Sequence, residues 1–256
     1  MNRLRTRTDV GWLLRRQPFG EADLWLDAYT QGLGRIRVLA KGARKVTSRK
    51  GGHLQLFQRV HMTLARGQSW WILTQAQTQT WFPKLRTNMQ AYTAASYVAE
   101  LVLRLVPEEE RLPGLEPLLG QALEAIARLP HGPQWVPRIF EWKILSLAGY
   151  RPEWDRCHRC GTLLHLGEPK AFDPQGGGVV CDGCRGPQMP WISDRAWSLL
   201  RHWATRPLPA ALEKAPPQDL YPELTALGQA YVRTWMERVP KTWRVERQLE
   251  EGNPNG

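Results

Sequence analysis

Four cysteines in two pairs are the residues of this sequence most able to carry out defined chemistry. Cys157 and Cys160 form one Cys-x-x-Cys pair, Cys181 and Cys184 form the other, and 20 residues lie between the pairs. Glycines in or beside each pair would let two turns bring four sulfurs onto one tetrahedral ion. Four thiolates match the closed structural sites of zinc and leave no open position for an activated water. The spacing therefore predicts one structural Zn2+.

Other uses of the four cysteines stay open at this point. A redox-active or disulfide pair and an iron–sulfur cluster are the two alternatives. His158 and His165 lie close enough in sequence to replace a thiolate, although neither is needed to complete the shell. A zinc ion would clamp the residues between the two pairs into a hairpin that is too small to fold alone.

A strongly basic stretch, KGARKVTSRK at residues 41–50, is the second chemical feature. Residues 1–86 contain 16 Lys and Arg against 4 Asp and Glu, a net charge of +12 in a chain whose total is +11. No acidic residue lies between Asp27 and Glu100. Such a one-sided field attracts polyanions, of which nucleic acid is the commonest inside cells; an anionic membrane surface and simple solubility are the alternatives.

The basic side chains predicted to contact phosphates lie in this stretch and on the strand before it. They are Arg35, Arg37, Lys41, Arg44, Lys45, Arg49 and Lys50. Contacts of this kind release condensed counterions and carry no base-sequence information. The competing interpretation is a charged loop that is merely solvated.

Five stretches with strand-like composition must position these bases. They span residues 10–16, 24–29, 35–40, 53–65 and 70–81. Five strands within 90 residues predict a small barrel, and the OB-fold is the five-stranded barrel that binds oligonucleotides. Alternation places Arg35 and Arg37 on one face of their strand, and it sends Trp70 and Trp71 to opposite faces. Trp71 and Phe57 are expected in the core, and no residue is assigned to base stacking.

Helical periodicity follows the strands. It covers residues 92–106, 115–129 and 135–148, and it returns at 196–203 and 220–235. The predicted fold class is α+β: an N-terminal five-stranded OB-fold barrel, then a helical domain with an inserted four-cysteine zinc finger. The expected boundaries are 1–83 for the barrel, 84–150 and 192–248 for the helical domain, 151–191 for the insert and 249–256 for a disordered tail.

The sequence lacks the motifs that are typical of several enzyme classes. It contains no phosphate-binding loop, no His-Glu-x-x-His and no Gly-x-Ser-x-Gly. Asp9, Glu21, Asp23 and Asp27 are too scattered to suggest a two-metal nuclease. The absence of an apolar run of about 18 residues argues against a membrane span, so a cytoplasmic location is expected. A binding protein is therefore preferred to an enzyme, with a zinc-dependent nuclease and a pure scaffold as rivals.

Longer stretches of the sequence resemble the RecO family of bacterial recombination mediators. The resemblance is carried by EADLWLDAYTQGLGRIRVLAKGAR, KGARKVTSRKGGHLQLF, LAGYRPEWDRCHRCG and AFDPQGGGVVCDGC. It is most specific over residues 21–57 and 147–184, whereas the C-terminal third matches only in helical character. Leu56 stands where members of the family often have proline.

The resemblance implies a role that needs no turnover. Members of the family bind single- and double-stranded DNA and anneal complementary strands. With RecR, and in some cases RecF, they help RecA replace single-strand DNA-binding protein. Arg104, Arg111 and Arg138 are candidate contacts for the acidic tail of that protein. The alternative function is an RNA-binding protein with a barrel and a zinc knuckle but no role in recombination.

Overall fold

The computed structural model describes residues 6–129, 135–236, 240–243, 245 and 248. The tail expected to be disordered, 249–256, lies outside the described residues. The chain begins with a β-barrel, continues through a cluster of helices, and carries a small two-stranded sheet between two of those helices.

Five strands close the barrel in the order β1-β2-β3-β5-β4. Their bounds are Thr6–Phe19 (β1), Asp23–Thr30 (β2), Gly34–Ala40 (β3), Arg59–Arg66 (β4) and Trp71–Thr80 (β5). All pairings are antiparallel except that of β3 with β5. The five-stranded OB-like barrel predicted from the sequence is confirmed.

Alternation along the strands explains which side chains fill the barrel. In β3, Ile36 and Val38 are fully buried, while Arg35 and Arg37 project from the other face. The barrel interior is completed by small and branched side chains from every strand, and by Ala43 and Leu54 from the β3–β4 connection. The basic stretch therefore belongs to a connection that is anchored in the barrel core.

Two strand predictions were wrong at their edges. Residues 53–58 were expected to open the fourth strand, but Gly51–His53 form a short 3-10 helix and β4 starts at Arg59. Phe57 has a φ of +65°, which no strand residue adopts. Trp70 lies in the β4–β5 turn, not in the strand, and only Trp71 enters the barrel core.

Seven helices follow the barrel within the described residues. They are Lys84–Thr87 (α1), Met89–Leu105 (α2), Leu115–Arg128 (α3), Val136–Leu147 (α4), Asp194–Thr205 (α5), Leu208–Leu212 (α6) and Tyr221–Trp235 (α7). Side-chain caps start two of them: Asn88 accepts from Ala91 N and Ser193 from Ala196 N. Across the described ranges, no helix is both long and apolar enough to cross a membrane.

The residues between α4 and α5 form the cysteine-bearing insert. Strands β6 (Lys170–Asp173) and β7 (Gly178–Cys181) pair in an antiparallel hairpin, and Asp182–Cys184 form a 3-10 turn. Phe172 of β6 contacts Trp142 of α4 and Tyr231 of α7, with ring centroids 5.5 and 5.4 Å apart. The insert is therefore packed into the helical core and is not a separate lobe.

Candidate nucleic-acid interface and metal centre

The β3–β4 connection presents the basic stretch of residues 41–50 at one end of the barrel; we call this stretch the basic loop. Ala43 is 3% exposed and Gly51 folds back over it, so closely that a Cβ at Gly51 would lie 2.6 Å from the Ala43 carbonyl oxygen. Lys41, Arg44 and Lys45 are exposed between these anchors. The loop is thus anchored by its small apolar residues, while these charged side chains are exposed to solvent.

Hydrogen bonds tie the basic loop to the turn between β1 and β2. The Gly42 N–H donates to Asp23 Oδ1 at 2.7 Å, and the Arg44 N–H donates to the Ala22 carbonyl at 2.8 Å. On its other side, Lys50 Nζ donates to the Leu73 carbonyl of β5 at 3.1 Å. The loop therefore has a defined position between β2 and β5.

The seven bases predicted from the sequence do not form one cluster. Arg49 is exposed like the other loop bases, and Lys50 is partly buried. Arg37 lies on the outer face of β3 near the loop, with its guanidinium 4.7 Å from the Trp25 ring centroid. Arg35 lies at the opposite end of β3, where its Nη1 donates to the Val106 carbonyl at 2.8 Å. The geometry groups Arg37 with the loop and places Arg35 against the helical region.

No carboxylate in the described part of the chain forms an ion pair with the basic loop. Among the described residues, none of the seven predicted bases forms a salt bridge. Three other barrel arginines do so: Arg15 pairs with Asp27 within the barrel, whereas Arg59 pairs with Glu116 at 2.9 Å and Arg66 with Glu109, both acids of the helical region. The helical region therefore neutralises the far side of the barrel and leaves the loop side positive.

Three of the four early acids hold the backbone or a neighbouring arginine. Asp9 accepts from the N–H groups of Gly32 and Leu33, and Asp23 accepts from Gly42. Asp27 is 2% exposed and accepts from Arg15 Nε at 2.7 Å. Glu21 is exposed in the β1–β2 turn beside the loop, and it alone of the four forms no hydrogen bond or ion pair within the described residues. These acids stabilise turns and strands.

Sequence reasoning missed the aromatic side chains around Arg37. Trp25 contacts Phe19 on one side and Trp70 on the other, at centroid distances of 5.6 and 5.4 Å. Alternation within β2 would have placed Trp25 outside the barrel, since Leu24 and Leu26 are its buried neighbours. Its partners, however, depend on strand register.

The four cysteines converge on one point, as predicted. Their sulfurs all lie within 4.8 Å of one another, and Cys160 Sγ is 3.8 Å from Cys181 Sγ. A tetrahedral ion with metal–sulfur bonds of about 2.3 Å would have sulfur–sulfur edges of about 3.8 Å. The donor set and its spacing therefore fit a tetrahedral metal ion held by Cys157, Cys160, Cys181 and Cys184.

Local turn chemistry builds the first pair. The Cys157 N–H donates to the Thr162 carbonyl and the Gly161 N–H donates to the Cys157 carbonyl, both at 2.8 Å. Gly161 has a φ of +76°, a conformation that glycine adopts without strain. Arg159 then links the two halves of the site, since its side chain donates to the Cys184 carbonyl at 3.1 Å.

Hydrogen bonds within the cluster give its thiols different pKa values. The Thr162 hydroxyl and its backbone N–H lower the pKa of Cys160 to about 6. Hydrogen bonds with Cys160 and Cys181 raise the pKa of Cys184 to about 12. A cluster of four thiolates needs a cation at its centre, because like charges at this distance oppose one another.

The two histidines near the cysteines have other surroundings. His158 Nε2 lies 3.0 Å from Asp173 Oδ2, so this ring joins the first cysteine pair to the end of β6. Arg159 also donates to Asp173 Oδ2 at 3.0 Å. The Asp173 carboxyl is buried, which opposes its ionisation, but hydrogen bonds from Gly176, His158 and Arg159 outweigh this and lower its pKa. His165 is exposed.

One residue offered as a contact for an acidic tail is buried. Arg138 is 1% exposed and donates to Glu141 Oε1 at 2.7 Å within α4, so that prediction was wrong for Arg138. Arg104 pairs with Glu100 at 2.6 Å on α2. Helical periodicity alone could not show that Arg138 faces the core.

Both halves of the chain match models of one protein family. Residues 1–82 match the family model described as "Recombination protein O N terminal", and residues 86–242 match "Recombination protein O C terminal". The chain belongs to the RecO family. The resemblance read from the sequence is thereby confirmed.

Curated relatives of the RecO family support this over most of the chain. "DNA repair protein RecO" of Roseiflexus sp. is 37% identical over 236 residues, which cover 90% of this chain and 81% of the relative. The protein of the same name from Dehalococcoides mccartyi is 33% identical over 231 residues and 90% of both chains. The protein from Nocardioides sp. is 39% identical over 182 residues, covering 70% of this chain and 74% of the relative.

The features described above are distributed over the two regions that match the RecO family. The basic loop and the aromatic side chains around Arg37 lie within the N-terminal match, and the cysteine site lies within the C-terminal match. Both features therefore lie inside the regions that define the family, although the matches assign no role to single residues.

Proposed function

We propose that this chain is a DNA recombination and repair mediator that binds single- and double-stranded DNA and anneals complementary strands without consuming a nucleotide. The observation that carries the proposal is the basic loop, whose charges stand on a folded support without carboxylate partners among the described residues. Membership in a family of proteins named for recombination and DNA repair sets the biological context.

Binding would begin with phosphate contacts from the loop. Lys41, Arg44, Lys45 and Arg49 are exposed, and Arg37 extends the same positive surface along β3. Each phosphate neutralised releases condensed counterions, so affinity should fall steeply with salt. Contacts to phosphate do not read sequence, which suits a protein that must act at any break. In this proposal Arg35 has a structural role, because its guanidinium is bonded to the helical region.

Annealing follows from the same charge pattern. Two strands whose phosphates are screened on one surface repel each other less and meet at a higher local concentration. The acids of the barrel are engaged in holding turns and Arg15, so they support this binding surface and offer no paired carboxylates for phosphodiester cleavage. We therefore assign the chain a binding role and no hydrolytic one.

The metal is proposed to be one structural Zn2+. Four thiolates fill a tetrahedral shell, and zinc is the metal that such closed sites hold in a reducing compartment. The ion would fix the two turns of the insert to each other, next to the hydrogen bond from Arg159 to Cys184. No position is left for a reactive water.

The partners proposed for the mediator step come from the family resemblance. RecR, and in some cases RecF, would act with this chain on DNA coated by single-strand DNA-binding protein, so that RecA can load. Annealing of coated complementary strands, with and without added RecR, measures this step directly. Acceleration by this chain on coated strands supports the proposal, and activity restricted to bare strands contradicts the mediator role.

The decisive test of the DNA-binding surface is the double variant Lys41→Glu with Arg44→Glu. It should weaken binding of single strands and of duplex at least tenfold and reduce the slope of log affinity against log salt, because phosphate contacts are lost. The matched control is Arg206→Glu with Lys214→Glu, two exposed bases of the helical region that change the net charge equally. Fluorescence anisotropy at two salt concentrations measures both quantities.

The control variant separates local contacts from total charge. If both double variants lose affinity equally, the effect is one of net charge and the loop is not the binding surface. If the loop variant keeps the affinity and the slope of the unmodified protein, the basic loop is only solvated and the proposal fails.

A further inference from the structure

The outer face of the barrel carries three aromatic rings outside both hydrophobic cores, with the central ring in contact with each of the other two. Phe19 lies at the end of β1, Trp25 on β2 and Trp70 just before β5. The rings of Trp25 and Trp70 meet edge to face at 85°, and those of Phe19 and Trp25 are tilted by 56°. None of the three belongs to the barrel core or to the helical core. We call this group the aromatic patch.

The aromatic patch is open to solvent. Phe19 is 48% exposed and Trp70 is 42% exposed. A large part of their apolar surface therefore remains in water, and that part gains nothing from folding. Core packing does not account for this exposed area, which is open to another molecule at Phe19 and Trp70, whereas one face of Trp25 is covered by Arg37.

The barrel topology brings the patch together with positive charge. In the closed order β1-β2-β3-β5, the ring of Trp70 reaches across β3 to Trp25, and Arg37 lies on β3 between them. The carboxylate opposite Arg37 in the strand register, Asp27, is already bonded to Arg15. The charge of Arg37 thus has no carboxylate partner among the described residues.

The basic loop borders the same patch. Besides its backbone bonds to the β1–β2 turn, Arg44 donates from its side chain to the Gly20 carbonyl at 3.3 Å, and Gly20 directly follows Phe19. Two acids lie at this border: Glu21 is exposed in the turn, and Asp23 is engaged by the Gly42 N–H of the basic loop. Basic side chains lie on one border and aromatic rings on the other. This arrangement is complementary to a chain of phosphates that carries flat, apolar rings.

We propose that Phe19, Trp25 and Trp70 form a stacking site for unpaired DNA bases, beside a phosphate track made by Arg37 and the basic loop. The inference rests on the proposed function and goes further, because it gives the binding surface a preference for single strands. Bases in a duplex are stacked on each other and cannot lie on protein rings. Aromatic stacking accepts any base, since every base has a π-face.

Single strands with and without bases test the inference. The unmodified protein should bind an oligothymidylate more tightly than a phosphodiester oligomer of the same length and charge that lacks bases. Trp70→Ala should reduce affinity for the oligothymidylate about tenfold, the typical effect of losing one stacked base. It should leave affinity for the abasic oligomer and for duplex unchanged, together with the salt slope.

The matched control is Trp81→Ala. Trp81 is 53% exposed and follows the end of β5 opposite to Trp70, so the variant removes a similarly exposed tryptophan that is not part of the aromatic patch. It should bind all three DNAs as the unmodified protein does. Trp70→Phe should restore most of the oligothymidylate affinity, and thermal unfolding of each variant reports whether the barrel is intact.

The outcomes separate this inference from the proposed function. If Trp70→Ala and Phe19→Ala bind all three DNAs normally while the loop variant fails, the patch does not hold bases and the phosphate surface stands. If the unmodified protein does not distinguish the oligothymidylate from the abasic oligomer, base stacking is also refuted. If the unmodified protein binds no DNA, both proposals fall.

Discussion

The four sulfur atoms differ in exposure, and this difference decides which substitution tests the metal centre. Cys157 is 1% exposed and packs in the helical core, so replacing it disturbs both the core and the ligand shell. Cys160 is exposed at the rim of the site. Serine at Cys160 therefore removes a ligand with little loss of packing.

We expect Cys160→Ser to lose most of its zinc and to melt at a lower temperature. The reason is that metal binding and folding of the insert are coupled. DNA affinity should stay within about twofold of the unmodified value, because the barrel makes the phosphate contacts. Elemental analysis, thermal unfolding and DNA titration of the same preparation check the three expectations.

His165→Ala is the matched control for the metal centre. This histidine is exposed within the same insert and lies outside the sulfur cluster. It should keep about one zinc per chain, as a closed four-thiolate shell requires. An unmodified protein that is folded and free of metal, with the same melting temperature, would contradict the closed site.

Residue types and spacing were enough to predict the metal ligands but not the aromatic patch. Two Cys-x-x-Cys pairs define a ligand set without knowledge of the fold. The contact between Trp25 and Trp70 instead requires that β2, β3 and β5 be neighbours and that their register be fixed. Neither condition can be predicted from the local sequence, because β3 and β5 pair across a long connection.

At the scale of elements, β4 shows where periodicity misleads. The apolar residues of 53–58 alternate as in a strand, yet Phe57 turns its ring toward Tyr92 of α2, 5.7 Å away. The Phe57 N–H donates to the Leu13 carbonyl, and the Leu13 N–H donates to the Gln58 carbonyl. The left-handed Phe57 is thus stabilised by partners that lie far away in sequence, which local patterns cannot reveal.

The short segment 240–243 is joined to α2 by the carboxylate of Glu100 and by the Trp243 ring, whose centroid lies 6.2 Å from that of Tyr97. Glu100 accepts hydrogen bonds from the N–H groups of Lys241 and Thr242 at 2.8 and 3.0 Å. Partial burial opposes ionisation of Glu100, but these bonds and those from Arg104 outweigh it and lower its pKa. The ionised form of Glu100 therefore helps to hold this segment in place, together with the buried Trp243.

The lowered pKa predicts that this contribution to stability depends on pH. A carboxyl whose pKa is depressed by folding contributes fully above its unfolded pKa of about 4.3 and loses its contribution as pH falls through the folded value. Glu100→Gln should therefore destabilise the protein at pH 7, by about 1 to 2 kcal/mol. The difference from the unmodified protein should shrink below about pH 4.

Denaturant unfolding over a pH series measures this difference, and Glu124→Gln serves as the control. Glu124 lies on the surface of α3 and pairs only with the exposed Arg128 in the described structure. Its substitution should change stability by less than about 0.5 kcal/mol at every pH. A Glu100→Gln effect that stays constant from pH 7 to pH 3 would contradict the assignment.

At the scale of the whole molecule, the barrel and the helices share one core. Trp12, Tyr29 and Phe57 come from the barrel but belong to the helical core. The Tyr29 hydroxyl donates to the Leu112 carbonyl at 2.9 Å and accepts from the Leu112 N–H at 2.8 Å. The DNA-binding surface proposed above is therefore carried on a barrel whose opposite side is fixed to the helices.

The sequence predicted both halves of this arrangement but not their contact. The change from strand to helical periodicity marks where the barrel ends, and the charge count marks which half is basic. The contact depends on single residues. Gly120 of α3 leaves room for the Trp12 ring, since a Cβ there would lie 3.0 Å from it. A single glycine within a helix does not indicate from sequence alone that an aromatic ring packs against it.

Glu116 of α3 is the polar centre of this contact, and its removal is the sharpest test of it. Its carboxylate accepts from Trp12 Nε1 at 3.1 Å, from Arg59 Nε at 2.9 Å and from Gln31 Nε2 at 3.3 Å, all on the barrel. Glu116→Ala leaves the Arg59 charge and two donors without their acceptor at a largely buried site. We expect a loss of about 2 to 4 kcal/mol in the free energy of unfolding.

Glu124→Ala, on the exposed side of the same helix, removes the same chemical group and should cost less than about 0.5 kcal/mol. Because the shared core couples the two halves, Glu116→Ala should lower one unfolding transition that barrel and helices share. Hydrogen exchange of β1 and α3 then decides between the two possibilities. Equal loss of protection in both elements supports a single cooperative unit, whereas loss confined to α3 would show that the barrel is stable without it.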